Sequence, residues 1–417
     1  MKKIKSIILS IVLAVVFALS FAGCTSGNNK LSDENVASSN QLTEEQKLDD
    51  FEYMYDVLKG NYPYFDVNKR MNGVDWLSKK NEYISEVKSS HDDLSFFNTL
   101  QSILGELNNG HTGMYNKENY IYSKTICSKY AKICEAWLKQ LNDPKAAARY
   151  SALSDSQNES QTSSQNIIKG NVKTAILEKE KTVYLAIHSF NSLNIDEDMK
   201  TIKPFLKNIK NYKAFIIDIR GNGGGDSRYW SDNIVPMLIN KPIDDTDYCA
   251  YRGGSFTEQF IKCRHGFGYE KLEKVSDIAK ENLKNLPPEI EKDFKYYRKD
   301  KSCYEPKDSV GFKGRIYLLV DGDVFSSSEK FAAFAKSTGF ATLAGEKTGG
   351  DGIGDDPALC VLPNSGYVFS FTEEMGLTSD GACNFEHKTE PDIKVSAKVN
   401  PDFSHDEAIQ AVLKLVH

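Results

Sequence analysis

Early in the chain, apolar residues recur at the spacing of a helix. Leu48, Phe51, Tyr55 and Leu58 fall three or four residues apart, which puts them on one helical face. Thr43-Glu44-Glu45-Gln46 just before them reads as a capping box, in which the Thr and Gln side chains each take a free N–H group. A second stripe, Phe96, Phe97, Leu100, Ile103, Leu104 and Leu107, stops at Asn109-Gly110. These patterns predict a helical domain over residues 43–117. Residues 123–153 read as helical again, and the polar run SDSQNESQTSSQN after them is too poor in apolar side chains to pack. Together they predict a helical and low-complexity insert over 118–171.

From residue 172 the pattern changes. VYLAI at 183–187, AFIIDI at 214–219, RIYLLV at 315–320 and ATLAG at 341–345 are unbroken apolar runs, expected of strands covered on both faces. Helical stretches at 199–209 and 329–336 separate them. Strands alternating with helices predict an α/β layer fold over 172–417. A charged stretch at 248–306 interrupts it and reads as a lid, a partner surface or a solvated helix.

The N-terminus changes the picture of where this fold resides. Lys2, Lys3 and Lys5 precede an apolar run at 7–21 and then Ala22-Gly23-Cys24. A basic start, a short apolar core and small residues form a secretory signal. The segment resembles a bacterial lipobox, although Phe21 stands where Leu is usual and Leu19 lies two places back. The expectation is a lipoprotein signal peptide over 1–23, a lipid-bearing Cys24 and a flexible tether over 24–42, with an uncut signal anchor as the alternative. The protein then sits outside the cytoplasm, on a bacterial cell membrane. A net charge of -6, with no basic run, argues against nucleic acid as a partner. Apart from Cys24, seven cysteines remain, an odd number, so at least one stays unpaired within a chain. No CxxC and no HExxH motif supports a zinc site.

Four segments carry candidate chemistry. In VDGDVFSSSEKFAAFAK, 320–336, a strand ends in a tight turn and a serine opens a helix, where free N–H groups favour a developing anion. The same Ser326-Ser327-Ser328-Glu329 also fits a plain capping box. In AFIIDIRGNGGGDS, 214–227, three consecutive glycines let backbone N–H groups approach a ligand. Asp226 breaks the dinucleotide spacing and no Gly-Lys-Ser/Thr follows, so an oxyanion hole fits better than a phosphate cradle. A turn that needs positive φ is the bland alternative. His111 in LNNGHTGMY stands just past a helix end, where it can act as a general base. Glu386, in SDGACNFEHKTEPDIKV, can orient such a histidine.

Taken in order, these segments resemble the C-terminal-processing (tail-specific) serine peptidases and their relative, the core of tricorn protease. Gly110-His111-Thr112 matches the family's Gly-His-Thr/Ser. Asp218-Ile219-Arg220-Gly221-Asn222-Gly223-Gly224-Gly225 matches Asp-Leu-Arg-x-Asn-x-Gly-Gly. Phe325-Ser326-Ser327-Ser328-Glu329 matches Phe-Ser-x-x-Glu and selects the first serine as nucleophile. Gly345-Glu346-Lys347-Thr348-Gly349-Gly350 and Glu386 before Pro391-Asp392-Ile393 complete the set.

The resemblance implies a crotonase-like ββα-superhelix catalytic domain behind the helical one, and a peptide or protein substrate cleaved through an acyl-enzyme. No metal or organic cofactor is called for. The processing branch uses a Ser–Lys dyad, but Gly350-Asp351-Gly352 stands where its Lys belongs. The tricorn-like branch is therefore the better guide. It implies Ser326 as nucleophile, His111 as base and Glu386 as the orienting acid, with backbone N–H groups near Gly223, Gly224 and Ser327 as the oxyanion hole. His188, after the strand VYLAI, competes for the role of base. The interval that holds a PDZ domain in many relatives reads here as helical, so no PDZ domain is expected. The alternatives are a non-catalytic carrier of hydrophobic ligands or peptides, as in interphotoreceptor retinoid-binding protein of the same fold, and a structural envelope lipoprotein.

Overall fold

The computed structural model describes residues 41–153 and 167–416. The leader, Cys24, the tether up to residue 40 and the polar run at 154–166 lie outside the described residues.

The unbroken apolar runs form a six-stranded sheet. Its strands lie in the order Ile393–Lys394, Thr342–Gly345, Arg315–Val320, Ala214–Asp218, Thr182–Ile187 and Val172–Leu177. Neighbours run parallel except the last two. Every residue of Thr182–Ile187 and Ala214–Asp218 is buried, because each face has its own cover. On one side Val183, Leu185, Phe215 and Leu318 pack with Met199 and Ile202 of helix Ile195–Leu206 and Phe331 of helix Ser327–Thr338. On the other, Tyr184, Ile216 and Leu319 pack with Ile409 and Val412 of helix Glu407–Leu413. Burial of this kind is worth about 1.5–3 kcal/mol per large apolar side chain.

Helix Glu44–Asn61 begins with the expected box: the Gln46 N–H donates to Thr43 Oγ1 at 3.2 Å and the Thr43 N–H to Gln46 Oε1 at 2.9 Å. This helical region does not keep a core to itself. Phe51, Leu58, Trp76 and Leu100 share one apolar cluster with Phe260 and Tyr297 of the charged stretch and with Leu359, Phe371 and Phe385. The strand Gly113–Met114 continues the union by pairing with Val368–Phe371, which pairs in turn with Ala358–Val361. Between that strand and residue 153 lie the helices Lys117–Lys129, Glu135–Leu141 and Pro144–Ala152, with no PDZ domain among the described residues.

The charged stretch departs from expectation. It is framed by two long antiparallel strands, Ile243–Tyr251 and Tyr296–Tyr304, inside a sheet that also holds Met375–Leu377 and Glu273–Lys274. The first of them opens with Ile-Asp-Asp-Thr-Asp, whose acids hide the strand from any reading of apolar alternation. Asp247 even stands opposite Asp300, a repulsive cross-strand pair. Cations offset it: Lys330 Nζ lies 3.7 Å from Asp247, and Arg298 Nε lies 2.6 Å from Asp300.

Candidate active site

Ser326 stands immediately before helix Ser327–Thr338 with φ 55° and ψ −126°. Few side-chain-bearing residues adopt that backbone, and holding it costs on the order of 1–3 kcal/mol. A strained strand-to-helix turn of this kind lifts a hydroxyl clear of its own helix. The capping-box alternative does not hold, since the Ser326 side chain makes no cap bond. Glu329, its expected partner, is buried and takes hydrogen bonds from Asn384 Nδ2 and Thr389 Oγ1, both at 2.6 Å.

The Ser326 hydroxyl instead meets His111, whose Nε2 lies 3.1 Å from Oγ. His111 is fixed from several sides. Its N–H donates to Asn109 Oδ1 at 3.1 Å, and its carbonyl accepts from Ser370 Oγ at 2.9 Å. The Phe325 ring packs on the imidazole with centroids 4.7 Å apart. Gly110 makes room for that ring: a Cβ there would lie 2.9 Å from Phe325.

The other face of the imidazole corrects the sequence reading. His111 Nδ1 lies 2.8 Å from Asp351 Oδ2, not from Glu386. Glu386 is drawn away by Arg70, whose Nε and Nη2 reach its two oxygens at 2.8 and 2.7 Å. That guanidinium holds the Glu386 carboxyl below its ordinary range. Asp351 occupies the position where the dyad branch has its Lys. It sits at φ 57° in the run Gly349-Gly350-Asp351-Gly352, and its side chain is 3% exposed. Tyr64 Oη donates to its Oδ1 at 3.1 Å and Asn109 Nδ2 to its Oδ2 at 2.8 Å. Burial, and then Asp351 itself, push the Tyr64 phenol well above its usual value, so it stays a donor.

Asn109 is thus a second residue that the sequence reading passes over. Its Oδ1 also takes Thr112 Oγ1 at 2.9 Å and Thr372 Oγ1 at 3.2 Å. One amide ties the His111 turn to the Asp351 carboxylate. The signal for it is its place beside Gly110-His111, where it reads only as a helix end.

The glycine turn needs a correction as well. The Gly224 N–H is not free for an oxyanion, because it donates to Asn222 Oδ1 at 2.9 Å. That oxygen also accepts from Ser328 Oγ at 2.7 Å, which fastens the turn to the helix that follows Ser326. What Gly224 supplies is space. At φ 107°, a Cβ on it would stand 2.9 Å from the Ser326 Cβ and 2.8 Å from the Phe325 carbonyl oxygen. Gly223 is half-buried in the same turn, and Ser327 begins the helix. Arg220, in the same motif, is a buried structural cation between Asp218 at 2.6 Å and Asp406 at 3.0 Å. His188 is exposed, its N–H bonded to the Asn171 carbonyl at 3.0 Å, and it makes no contact with Ser326.

A family model described as Peptidase family S41 matches residues 181–395, more than half of the chain. No curated protein matches. Among solved structures, a protein from Parabacteroides merdae classed as a peptidase aligns with a TM-score of 0.55 at 20% identity, over 89% of this chain and 96% of its own. Mature CPAF complexed with lactacystin aligns with a TM-score of 0.55 at 13% identity, over 89% and 97%. Mature CPAF alone gives 0.52 at 13% identity, over 85% and 93%. At such identities the likeness is one of fold.

Proposed function

The chain belongs to peptidase family S41, and we propose that it is a serine-type endopeptidase that works through an acyl-enzyme on Ser326. The observation that carries this reading is the hydrogen-bonded line from Ser326 Oγ through His111 to Asp351, at 3.1 and 2.8 Å. With its proton on Nδ1, held by Asp351, His111 presents the Nε2 lone pair to the serine hydroxyl. As Oγ attacks the scissile carbonyl carbon, its proton passes to Nε2. The carbonyl π electrons move onto oxygen, where the N–H groups of Gly223 and Ser327 are the donors proposed to receive the charge. Collapse breaks the C–N bond, and Nε2–H protonates the departing amine. A water then gives a proton to Nε2 and attacks the ester, and the proton returns to Oγ as the acid leaves.

The substrate class is peptide or protein. A lipid-anchored location outside the cytoplasm remains part of this proposal and rests on Ala22-Gly23-Cys24. Mass spectrometry of the native N-terminus tests it: a mature chain that begins at a diacylated Cys24 supports the anchor, and a free thiol there defeats it.

The catalytic reading is tested by fluorophosphonate labelling and by turnover of fluorescent casein. Covalent modification at Ser326, with turnover lost in Ser326→Ala and in His111→Ala, is the expected outcome. The double variant is little worse than either single one, because the two residues act as a unit. A serine inert to the reagent in a folded protein leaves the ligand-carrier alternative standing in its place.

A further inference from the structure

Asp351 does not hold its place by its own contacts alone. It lies on a loop, residues 349–357, that contains four glycines, among them Gly350 at φ 87° and Gly354 at φ 145°. Such a segment has little conformational preference of its own. Four residues beyond Asp351, one oxygen of Asp355 receives three cationic or polar side chains of the charged stretch. Arg298 Nη1 lies 2.8 Å from Oδ2, His265 Nε2 2.9 Å and Arg264 Nη1 3.3 Å. Burial alone raises the Asp355 carboxyl, and Arg298, Arg264 and His265 overturn that and hold it well below its ordinary range.

The neighbours of this carboxylate are arranged to support it. Arg264 Nη2 also donates to the Asp356 carbonyl at 2.7 Å, and Trp137 Nε1 to the Pro357 carbonyl at 2.9 Å. Arg264 stacks over the Trp137 ring at 4.9 Å and pairs with Glu373 at 2.7 Å. Arg298 is anchored behind by both oxygens of Asp300 at 2.6 Å. Burial, then Glu373 and Asp355, push the Glu374 carboxyl well above its ordinary range. Trp137 belongs to the helical region, while Arg264, His265 and Arg298 all come from the stretch between residues 243 and 304.

We propose that Arg298 and Arg264 are positioning residues for the peptidase reaction, which fix the Asp351 carboxylate against His111 by clamping Asp355 at the far end of the same glycine-rich loop. The inference rests on the Ser326–His111–Asp351 reading and gives the charged stretch a role, which is to brace the site from behind. A loop clamped at one carboxylate and read out at another transmits small displacements, and a shift of about 1 Å in a reacting group costs about 10²-fold in rate.

The test is a double-mutant cycle on the full chain, read by the second-order rate of fluorophosphonate labelling and by kcat and KM on fluorescent casein. Arg298→Met is expected to lower the labelling rate and kcat about 10²-fold with KM little changed. In an Asp351→Ala background the same change is expected to cost less than about twofold, since the group it positions is gone. Arg298→Lys, which restores a charge for Asp355 but not the fork on Asp300, recovers part of the loss. Equal losses in both backgrounds, or none in either, overturn the clamp and leave the triad standing. An Asp351→Ala protein that labels at the native rate sinks the triad and the clamp with it. Should Arg298→Met fail to fold, Arg298→Met combined with Asp355→Asn is read in the same cycle, because it removes the deeply buried Asp355 charge together with its cation.

Discussion

His111 Nδ1 and Asp351 Oδ2 are 2.8 Å apart, although 240 residues separate them along the chain. Glu386, the acid expected from family order, is bound to Arg70 at 2.7 Å. This division sets a direct comparison. Asp351→Asn keeps the volume but presents an amide to Nδ1, which favours the wrong tautomer, and is expected to lower kcat by about 10⁴-fold. Glu386→Gln removes one half-exposed ion pair and is expected to leave kcat within about twofold, at a stability cost of about 1 kcal/mol. Kinetics on fluorescent casein, with thermal melts of both variants, decide it; the reverse ranking restores Glu386 to the site.

Ser326 carries backbone strain. At φ 55° a glycine is comfortable and a serine is not. Ser326→Gly is therefore expected to be inactive and yet more stable than the native protein, by about 1 kcal/mol. Urea denaturation of Ser326→Gly beside Ser326→Ala measures the difference. A glycine variant less stable than the alanine variant contradicts the strain.

Gly224→Ala tests the role of space in the turn. Its Cβ would fall 2.8 Å from the Phe325 carbonyl and 3.0 Å from the Ser327 nitrogen, on backbone that cannot swing aside. The expected outcome is a loss of about 10²-fold or more in the labelling rate of Ser326. Wild-type labelling in Gly224→Ala defeats this account.

Glu329 gives the protein a pH signature. Burial pushes its carboxyl up to about 7 from 4.5, and its hydrogen bonds from Thr348, Thr389 and Asn384 only partly oppose this. Below pH 4.5 the group is protonated in the folded and the unfolded chain alike. Between 4.5 and 7 the folded protein keeps a proton that the unfolded chain releases, so this contribution to stability falls as pH rises and is gone above 7. Glu329→Gln removes that slope. Relative to native, its unfolding free energy is expected to rise between pH 4.5 and 7, by about 3 kcal/mol at most. Urea titrations of both proteins across this range supply the check, and parallel curves refute it.

The strands of the large sheet are legible in the sequence because each is apolar along its whole length, as burial on both faces requires. The contact between Ser326 and His111 is legible in motif order, since each sits within a recognisable run of neighbours. The acid is not. Asp351 and Glu386 both follow Ser326, and which of them reaches the imidazole turns on contacts as distant as that of Arg70, 316 residues from Glu386. No local pattern encodes that choice. The strand Ile243–Tyr251 is hidden for a related reason: its acids are tolerated through Lys330 and Arg298, which belong to other elements. Gly224 stands out in the sequence for its N–H, while the nearby Asn222 side chain that takes it reads only as part of a motif.

The pairing of Gly113–Met114 with Val368–Phe371 has a consequence in time. A chain made from its N-terminus presents His111 long before Asp351 exists, and the Ser370 hydroxyl that grips the His111 carbonyl comes later still. Until Ser370 has emerged, the strand just past His111 has no partner and the His111 carbonyl lacks this hydrogen bond. The Ser326–His111–Asp351 line therefore cannot close until most of the chain has been made, because its members and their supports are spread from residue 109 to residue 370.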